Sequence, residues 1–256
     1  MTDTTPPPLI DPTAHAIFLD FDGTLSELVD DPASVALPEG TLEPLMRLQK
    51  ACGGALAIVS GRRIGDLDGF LSPMRFAAAG VHGLERRATP DGETERLMTE
   101  AELDPVREAF ASLVRDHPRL RLEDKGLALV LHYRTAPDLE EVARRAASEA
   151  VGDRGDLLVM HGDNIVEVHP AGMDKGKALA DMMERAPFKG RTPLYAGDDT
   201  TDEYALDVVR RRGGVSVKVG AKDSVAAFRL TDVAAVHRWI AQSIRYTDKN
   251  EDPIDG

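Results

Sequence analysis

An apolar run, Ala16 to Leu19, ends abruptly in Asp20-Phe21-Asp22-Gly23-Thr24-Leu25, and no other feature narrows the fold of this chain so far. A short apolar stretch closed by a Gly-containing turn reads as a buried strand of an α/β sheet. Ligands of such sheets bind outside the carboxyl ends of the strands. Asp20 and Asp22 are two residues apart, so on continued strand geometry their side chains share a face. Two like charges held that close are costly unless a cation lies between them, which points to a Mg²⁺ site where one carboxylate can attack a phosphoryl group. An ordinary Asp-Gly turn or a calcium loop would also accommodate the hexapeptide.

Three further segments add to it. Ala55 to Val59 is a second apolar strand ending in Ser60-Gly61-Arg62, where a hydroxyl and a Gly-freed backbone could hold a phosphate; alone, Ser60 reads as a helix N-cap. Asp174-Lys175-Gly176 opens a helical pattern that continues through Ala178, Leu179, Met182 and Met183, and by itself Lys175 is a solvated first-turn lysine. The strand Pro193 to Ala196 runs into Gly197-Asp198-Asp199-Thr200-Thr201-Asp202-Glu203, whose acids would suit plain helix capping. Capping does not explain why acid pair, hydroxyl, lysine and acid cluster follow one another at four strand ends or helix starts.

That ordered set resembles the haloacid dehalogenase superfamily of phosphotransferases, whose four motifs match at Asp20/Asp22, Ser60, Lys175 and Asp198/Asp202. It is also similar to a narrower family, the trehalose-6-phosphate phosphatases. The segments that carry this likeness are the Asp20 to Leu25 run with Pro32 downstream, Ser60-Gly61-Arg62, Gly80-Val81-His82-Gly83, Glu123-Asp124-Lys125 with His132-Tyr133-Arg134, Glu167-Val168-His169-Pro170, and Gly197 to Glu203. His169 departs from the pattern, in which Arg is more usual after the Glu-Val pair.

Composition fits a compact enzyme. With 256 residues, 42% hydrophobic and 29% charged, the chain is neither disordered nor membrane-like, and no apolar stretch approaches the roughly 20 residues a bilayer requires. Met1 to Pro8 lacks a basic and apolar leader pattern, so a cytoplasmic location is expected. The single cysteine, Cys52, excludes an intramolecular disulfide and reads as a small buried hydrophobe. A net charge of -13 argues against nucleic acid or anionic membrane as partner, and a monomer acting on a small sugar phosphate is expected. The same charge repels a phosphorylated substrate, so its site must carry local cations.

Strands at 16–20, 55–59, 75–79, 193–196 and 214–218 alternate with helices around 41–52, 63–71, 174–186, 200–212 and 232–244, which implies a parallel sheet. Between them a helix from Asp104, a strand pair 120–123 and 127–132, a helix 138–150 and a second strand pair 157–160 and 165–168 spell αββαββ. The expected fold class is therefore α/β: a parallel-sheet, Rossmann-like haloacid dehalogenase core with an inserted α+β cap. The expected divisions are a flexible tail over 1–14, core over 15–86 and 171–246, cap over 87–170, and a second tail over 247–256.

The resemblance implies a Mg²⁺-dependent phosphomonoesterase acting through an aspartyl-phosphate, with trehalose and phosphate as products. Asp20 would be the nucleophile and Asp22 the proton donor and later base. Mg²⁺ would be held by the Asp20 carboxylate, the Asp22 backbone carbonyl and Asp198, with Asp199 or Asp202 supporting from behind, while Ser60 and Lys175 bind phosphoryl oxygens. Gly61 and Arg62 would join the phosphate site and His82 the active-site rim; the matching cap positions Glu123, Lys125 and Glu167 would contact the sugar, with His132 a further substrate-binding candidate and Arg134 a candidate for phosphate or cap-to-core contact. Read from residue type alone, Glu123 to Lys125 is a charged turn, Glu167 and His132 are strand-surface residues, and His82 makes a loop hydrogen bond. Another capped phosphatase, for sucrose, glucosylglycerol-type or hexose phosphates, would share the whole core set. A non-catalytic regulatory subunit of the trehalose pathway would have lost a nucleophile or metal ligand, and none is lost here.

Overall fold

The computed structural model describes residues 5–29, 34–96 and 103–251, so Pro32 lies outside the described residues. The chain opens with β1 (His15–Leu19), α1 (Leu42–Ala51), β2 (Leu56–Val59), α2 (Ile64–Phe70), β3 (Ala77–Gly80), β4 (Glu85–Arg87) and β5 (Glu95–Arg96). The middle holds α3 (Asp104–Asp116), β6 (Arg121–Asp124), β7 (Leu129–His132), α4 (Glu140–Val151), β8 (Leu157–Gly162) and β9 (Ile165–Pro170). It closes with α5 (Lys175–Met183), β10 (Thr192–Gly197), α6 (Glu203–Arg211), β11 (Val215–Val219), β12 (Phe228–Leu230) and α7 (Val233–Glu251). Two compact units result: the described residues of Met1–Glu95 with Asp174–Gly256, and those of Arg96–Met173.

The first unit is built on an eight-stranded sheet of order β12-β11-β10-β1-β2-β3-β4-β5. β1, β2 and β3 read HAIFL, LAIV and AAAG, and apart from the half-buried His15 every residue in them is buried, as expected of strands covered on both faces. Helical crossovers make the central strands parallel: β1 pairs with β10 on one side and β2 on the other. The chain leaves β1 toward β2 and returns at β10, so strand order reverses beside β1. That is the crevice where open α/β sheets hold ligands.

β4 turns back antiparallel to β3, with Ala79 opposite Arg86. Sequence reasoning missed it because Glu85-Arg86-Arg87 has no strand-like composition; its burial is made tolerable by pairing, Arg87 clamping Asp68 and donating to the Phe76 carbonyl at 3.0 Å. Consequently 87–95, expected in the cap, belongs with the first unit. The N-terminal stretch also departs from the expected frayed tail. Ile10 is buried and its N–H donates to Ser243 Oγ at 2.9 Å, while Trp239 Nε1 donates to the Pro8 carbonyl at 2.8 Å. At the other end α7 runs through to Glu251, into the expected second tail. Cys52 is buried at the end of α1, its thiol pushed up to about 11 by burial, which keeps it a protonated, inert hydrophobe as expected.

The second unit is an antiparallel sheet of order β6-β7-β9-β8 with α3 and α4 on one face. Leu129 and Leu131 of β7 and Val166 and Val168 of β9 join Val106, Phe110, Ala143 and Ala147 in its core. Strand alternation then sends Val130, Glu167 and His132 to the opposite face. Register places Glu123, Val130, Glu167 and Met160 in one row across the four strands.

Candidate active site

Asp20 follows β1, Ser60 follows β2, His82 follows β3 and Asp198 follows β10, so the carboxyl ends of neighbouring strands collect the core residues singled out by sequence. Lys175 joins them as the first residue of α5, whose N-cap Asp174 accepts the Lys177 N–H at 2.8 Å. A lysine at a helix N-terminus opposes the macrodipole, and this one is not solvated: it is 4% exposed. Two carboxylates offset both costs. Lys175 Nζ donates to Asp20 Oδ1 at 2.8 Å and to Asp202 Oδ1 at 2.6 Å.

One lysine does not balance the acids it faces. Burial, then the Asp202 charge, lifts the Asp20 carboxyl well above the usual carboxylate range, and the same causes push Asp198 up to about 7. Burial also works against Asp202, but Lys175 and the Tyr195 hydroxyl outweigh it and hold this carboxyl below its ordinary value. Among the described residues, one oxygen each of Asp20, Asp198 and Asp202 lies within 4.8 Å of the other two. Hard oxygen donors carrying surplus negative charge fit a divalent cation of the magnesium type. The backbone makes room for this crowding. Gly23 has φ +75°, and a Cβ there would lie 2.3 Å from the Asp198 carboxyl carbon; one on Gly197 would lie 2.4 Å from that of Asp202.

Asp199 is not one of the three clustered acids. It caps the turn Thr200–Asp202, and its N–H donates to Asp202 Oδ2 at 2.9 Å, so the capping reading is correct for Asp199 and half the story for Asp202.

Asp22 is also placed differently from the simple strand argument. The close pair was expected to share one cation, but each acid has its own: Lys175 serves Asp20, while Arg62 grips Asp22 through two bonds of 2.7 Å. The hexapeptide bends after Asp20, so strand geometry does not continue to Asp22. The Arg62 guanidinium also lies over Phe21 and Phe70, at 5.7 and 4.9 Å from the ring centroids. Ser60, Gly61 and Arg62 are fixed from β3: the Val81 N–H donates to the Arg62 carbonyl at 2.9 Å and the His82 N–H to that of Ser60 at 3.1 Å. Val81 and His82 adopt φ of 46° and 54°, an unfavourable conformation for a β-branched residue and a sign that this turn is held by its surroundings. The buried Ser60 Oγ accepts the Arg62 N–H at 3.2 Å.

In the second unit the sugar-reading candidates pair among themselves. Lys125 Nζ donates to Glu167 Oε2 at 3.3 Å, and His132 Nε2 lies 2.8 Å from Glu123 Oε2. Glu167 is buried, unlike the solvated strand residue its sequence suggests, and Gly126 with φ +78° makes the turn that returns the chain after Lys125. Arg134 reaches the Asp163 carbonyl at 3.5 Å. His169, where the pattern favours Arg, is wholly buried against Met160 with Nδ1 2.8 Å from the Pro170 carbonyl.

Two contributors escaped the sequence reading. Tyr195 donates to Asp202 Oδ1 at 2.6 Å; burial and the neighbouring Asp202 and Asp20 charges hold its phenol well above its ordinary range, so it stays a donor. Buried Lys218 donates to the Asp199 carbonyl at 3.2 Å and Glu203 Oε1 at 3.1 Å, and Glu203 Oε2 accepts the Val225 N–H at 2.9 Å. Both sit in strands that read as apolar. The available signal was the demand of a buried hydroxyl or ammonium for a partner.

Residues 18–234 match the family model for trehalose-phosphatase. The chain belongs to the trehalose-phosphatase family. It is 40% identical over 227 residues to the trehalose-6-phosphate phosphatase of Escherichia coli, covering 88% of this chain and 85% of that one. It is 38% identical to a probable trehalose-phosphate phosphatase of Sinorhizobium fredii, over 80% of this chain and 77% of that one. Among solved structures, the C-terminal domain of the C. albicans trehalose-6-phosphate phosphatase superposes with a TM-score of 0.80 at 21% identity, covering 95% and 99% of the two chains, which shows the shared fold.

Proposed function

We propose that this member of the trehalose-phosphatase family hydrolyses trehalose 6-phosphate to trehalose and inorganic phosphate. The observation that carries the reading is the buried set of Asp20, Lys175, Asp202 and Asp198 at adjoining strand ends, in a chain 40% identical to an enzyme of that name. An Asp20 oxygen attacks phosphorus in line; the new O–P bond forms as the bond to the sugar oxygen breaks, giving an aspartyl-phosphate. Asp22 gives the leaving oxygen its proton, then takes one from the water that attacks phosphorus and frees Asp20. Arg62, by gripping both Asp22 oxygens, fixes where that carboxylate waits. Lys175 and Ser60 bind the phosphoryl oxygens, with Gly61 and His82 at the same end, and Asp199 and Asp202 support the arrangement from behind.

Mg²⁺ is the ion we assign; the Asp20 and Asp198 carboxylates and the Asp22 carbonyl would hold it, and when bound it would supply positive charge against the negative charge of the phosphoryl oxygens. The division of labour gives chemistry to the first unit and choice of alcohol to the second. There Glu123, Lys125 and Glu167, with His132, offer charge-assisted hydrogen bonds to sugar hydroxyls, and Arg134 is kept for phosphate or cap-to-core contact. Among the described residues no helix is long and apolar enough to cross a membrane, and we place the enzyme in the cytoplasm as a monomer.

Phosphate release from a panel of sugar phosphates tests the reading. Trehalose 6-phosphate is expected to be the best substrate and glucose 6-phosphate far poorer, since a site built for hydroxyls is left with unpaired groups when they are missing. Exhaustive chelation should abolish release and added Mg²⁺ restore it. Preference for sucrose 6-phosphate or a hexose phosphate would reassign the substrate, and full activity after chelation would remove the metal.

A further inference from the structure

Tyr195 is among the largest wholly buried side chains, in the middle of a strand that would be packed as well by phenylalanine. Its hydroxyl has a specific use. The Oη–H donates to Asp202 Oδ1 at 2.6 Å, the same oxygen that accepts Lys175 Nζ at 2.6 Å, and Lys175 goes on to Asp20 Oδ1 at 2.8 Å. Four side chains thus form one line of hydrogen bonds, Tyr195 to Asp202 to Lys175 to Asp20, with water excluded along its length. The other Asp202 oxygen is taken by the Asp199 N–H.

A carboxylate oxygen that serves two donors divides its pull between them. Without the phenol, Lys175 would be the sole donor on Asp202 Oδ1 and would be drawn toward it, away from Asp20 and from a phosphoryl oxygen that the third ammonium proton could reach. Bonds in such low-dielectric networks depend on one another. Tyr195 enters the line through its hydrogen bond to Asp202.

We propose that Tyr195 is a positioning residue for phosphoryl transfer, its hydroxyl acting through Asp202 to set the place of the Lys175 ammonium relative to Asp20. The proposal rests on the reading of Asp20 and Lys175 given above and adds to it a residue outside the motifs. Because the line ends at the phosphoryl group and not at the sugar, its loss falls on kcat and is the same for any phosphomonoester.

The experiment compares Y195F, D202N and the double variant at saturating Mg²⁺, on trehalose 6-phosphate and on p-nitrophenyl phosphate, together with thermal midpoints. Y195F is expected to lower kcat about tenfold on both substrates, the scale of one hydrogen bond to a charged group, with KM within about twofold. On the D202N background the same change should cost under about twofold, since both variants break one line. A lower thermal midpoint with kcat unchanged would show Tyr195 to be a structural brace and overturn the proposal. Multiplying losses in the double variant would show that it acts other than through Asp202 and overturn it as well; should D202N not fold, the kcat of Y195F alone decides. Wild-type protein that releases phosphate while Y195F behaves identically overturns this proposal only, whereas wild-type protein that releases none overturns the proposed function and this inference with it.

Discussion

Lys175 in the first unit and Lys125 in the second both answer carboxylates, yet their surroundings differ. Lys175 and its partners Asp20 and Asp202 are no more than 4% exposed, and the three are joined at 2.6 and 2.8 Å. Lys125 meets Glu167 at a looser 3.3 Å, and the neighbouring His132 and Glu123 side chains keep 19% and 27% of their surface. A desolvated charge cannot lose one partner without being left uncompensated, so the first group is locked in place. His132 and Glu123 keep access to water and can exchange a partner for a hydroxyl at small cost, while Lys125 and Glu167, 10% and 3% exposed, are joined by the longer contact. Rigidity suits the aiming of a nucleophile, the role proposed for the first group, and exchangeable pairing suits recognition of an alcohol, the role proposed for the second.

The sharpest way to break this contrast is at the locked end. Asp20→Asn is expected to abolish turnover, a loss of at least about 10⁴-fold as for other removed nucleophiles, with the fold kept because an amide matches the shape of a carboxyl already held toward its neutral form. Asp22→Asn should cost about 10²–10⁴-fold, the usual worth of positioned proton transfer. Rates of either variant within tenfold of the parent would withdraw its assigned role.

The exchangeable end should respond selectively. Glu123→Ala, Lys125→Ala and Glu167→Ala are each expected to lower kcat/KM for trehalose 6-phosphate by about 10–100-fold, the range for hydrogen bonds to charged groups, and to leave hydrolysis of p-nitrophenyl phosphate within about twofold. Equal losses on both substrates would mean that the second unit's pairs are as structural as the first unit's, and the contrast would fail.

The smallest effect is on stability. Asp198 is pushed up to about 7, so the ion-free fold binds a proton there that the unfolded chain has already released. That contribution is complete below the ordinary carboxylate pKa near 4 and fades as pH rises through about 7. The thermal midpoint of chelated wild-type protein, minus that of Asp198→Asn, should therefore decline from pH 4.5 to 7.5 and level off above. A flat difference would mean the surplus negative charge of the site is balanced in some other way.

Much of this was legible from residue order. Strand ends announce themselves when an apolar run stops at a glycine turn, which is why Asp20, Ser60 and Asp198 were found where the sheet puts them, and the αββαββ alternation was read from periodicity. The failures have a common cause. β4 reads Glu-Arg-Arg and is buried only because Arg87 finds Asp68, a partner nineteen residues away that no local pattern announces. Asp22 leaves the strand, and Arg62, forty positions on, takes it. Tyr195 and Lys218 looked like ordinary occupants of apolar strands until the fold supplied Asp202 and Glu203. Periodicity reports which face is dry; it does not report which distant group makes a dry charge tolerable.

The pairing of β1 with β10 sets His15 beside Thr192 and Leu19 beside Ala196. A ribosome makes the first of these strands long before the second. During most of synthesis β1 therefore has an open hydrogen-bonding edge on the side where β10 will lie, and a row of buried-type residues, Ala16 to Leu19, waits without its neighbour. Loop closure across so many residues makes this a late event in folding. Before β10 and the residues after it are made, Asp20 lacks Asp202, and the emerging chain exposes a strand edge of the kind that pairs with other chains. A polypeptide interrupted before Gly197 would possess Asp20 and Lys175 but neither Asp198 nor Asp202.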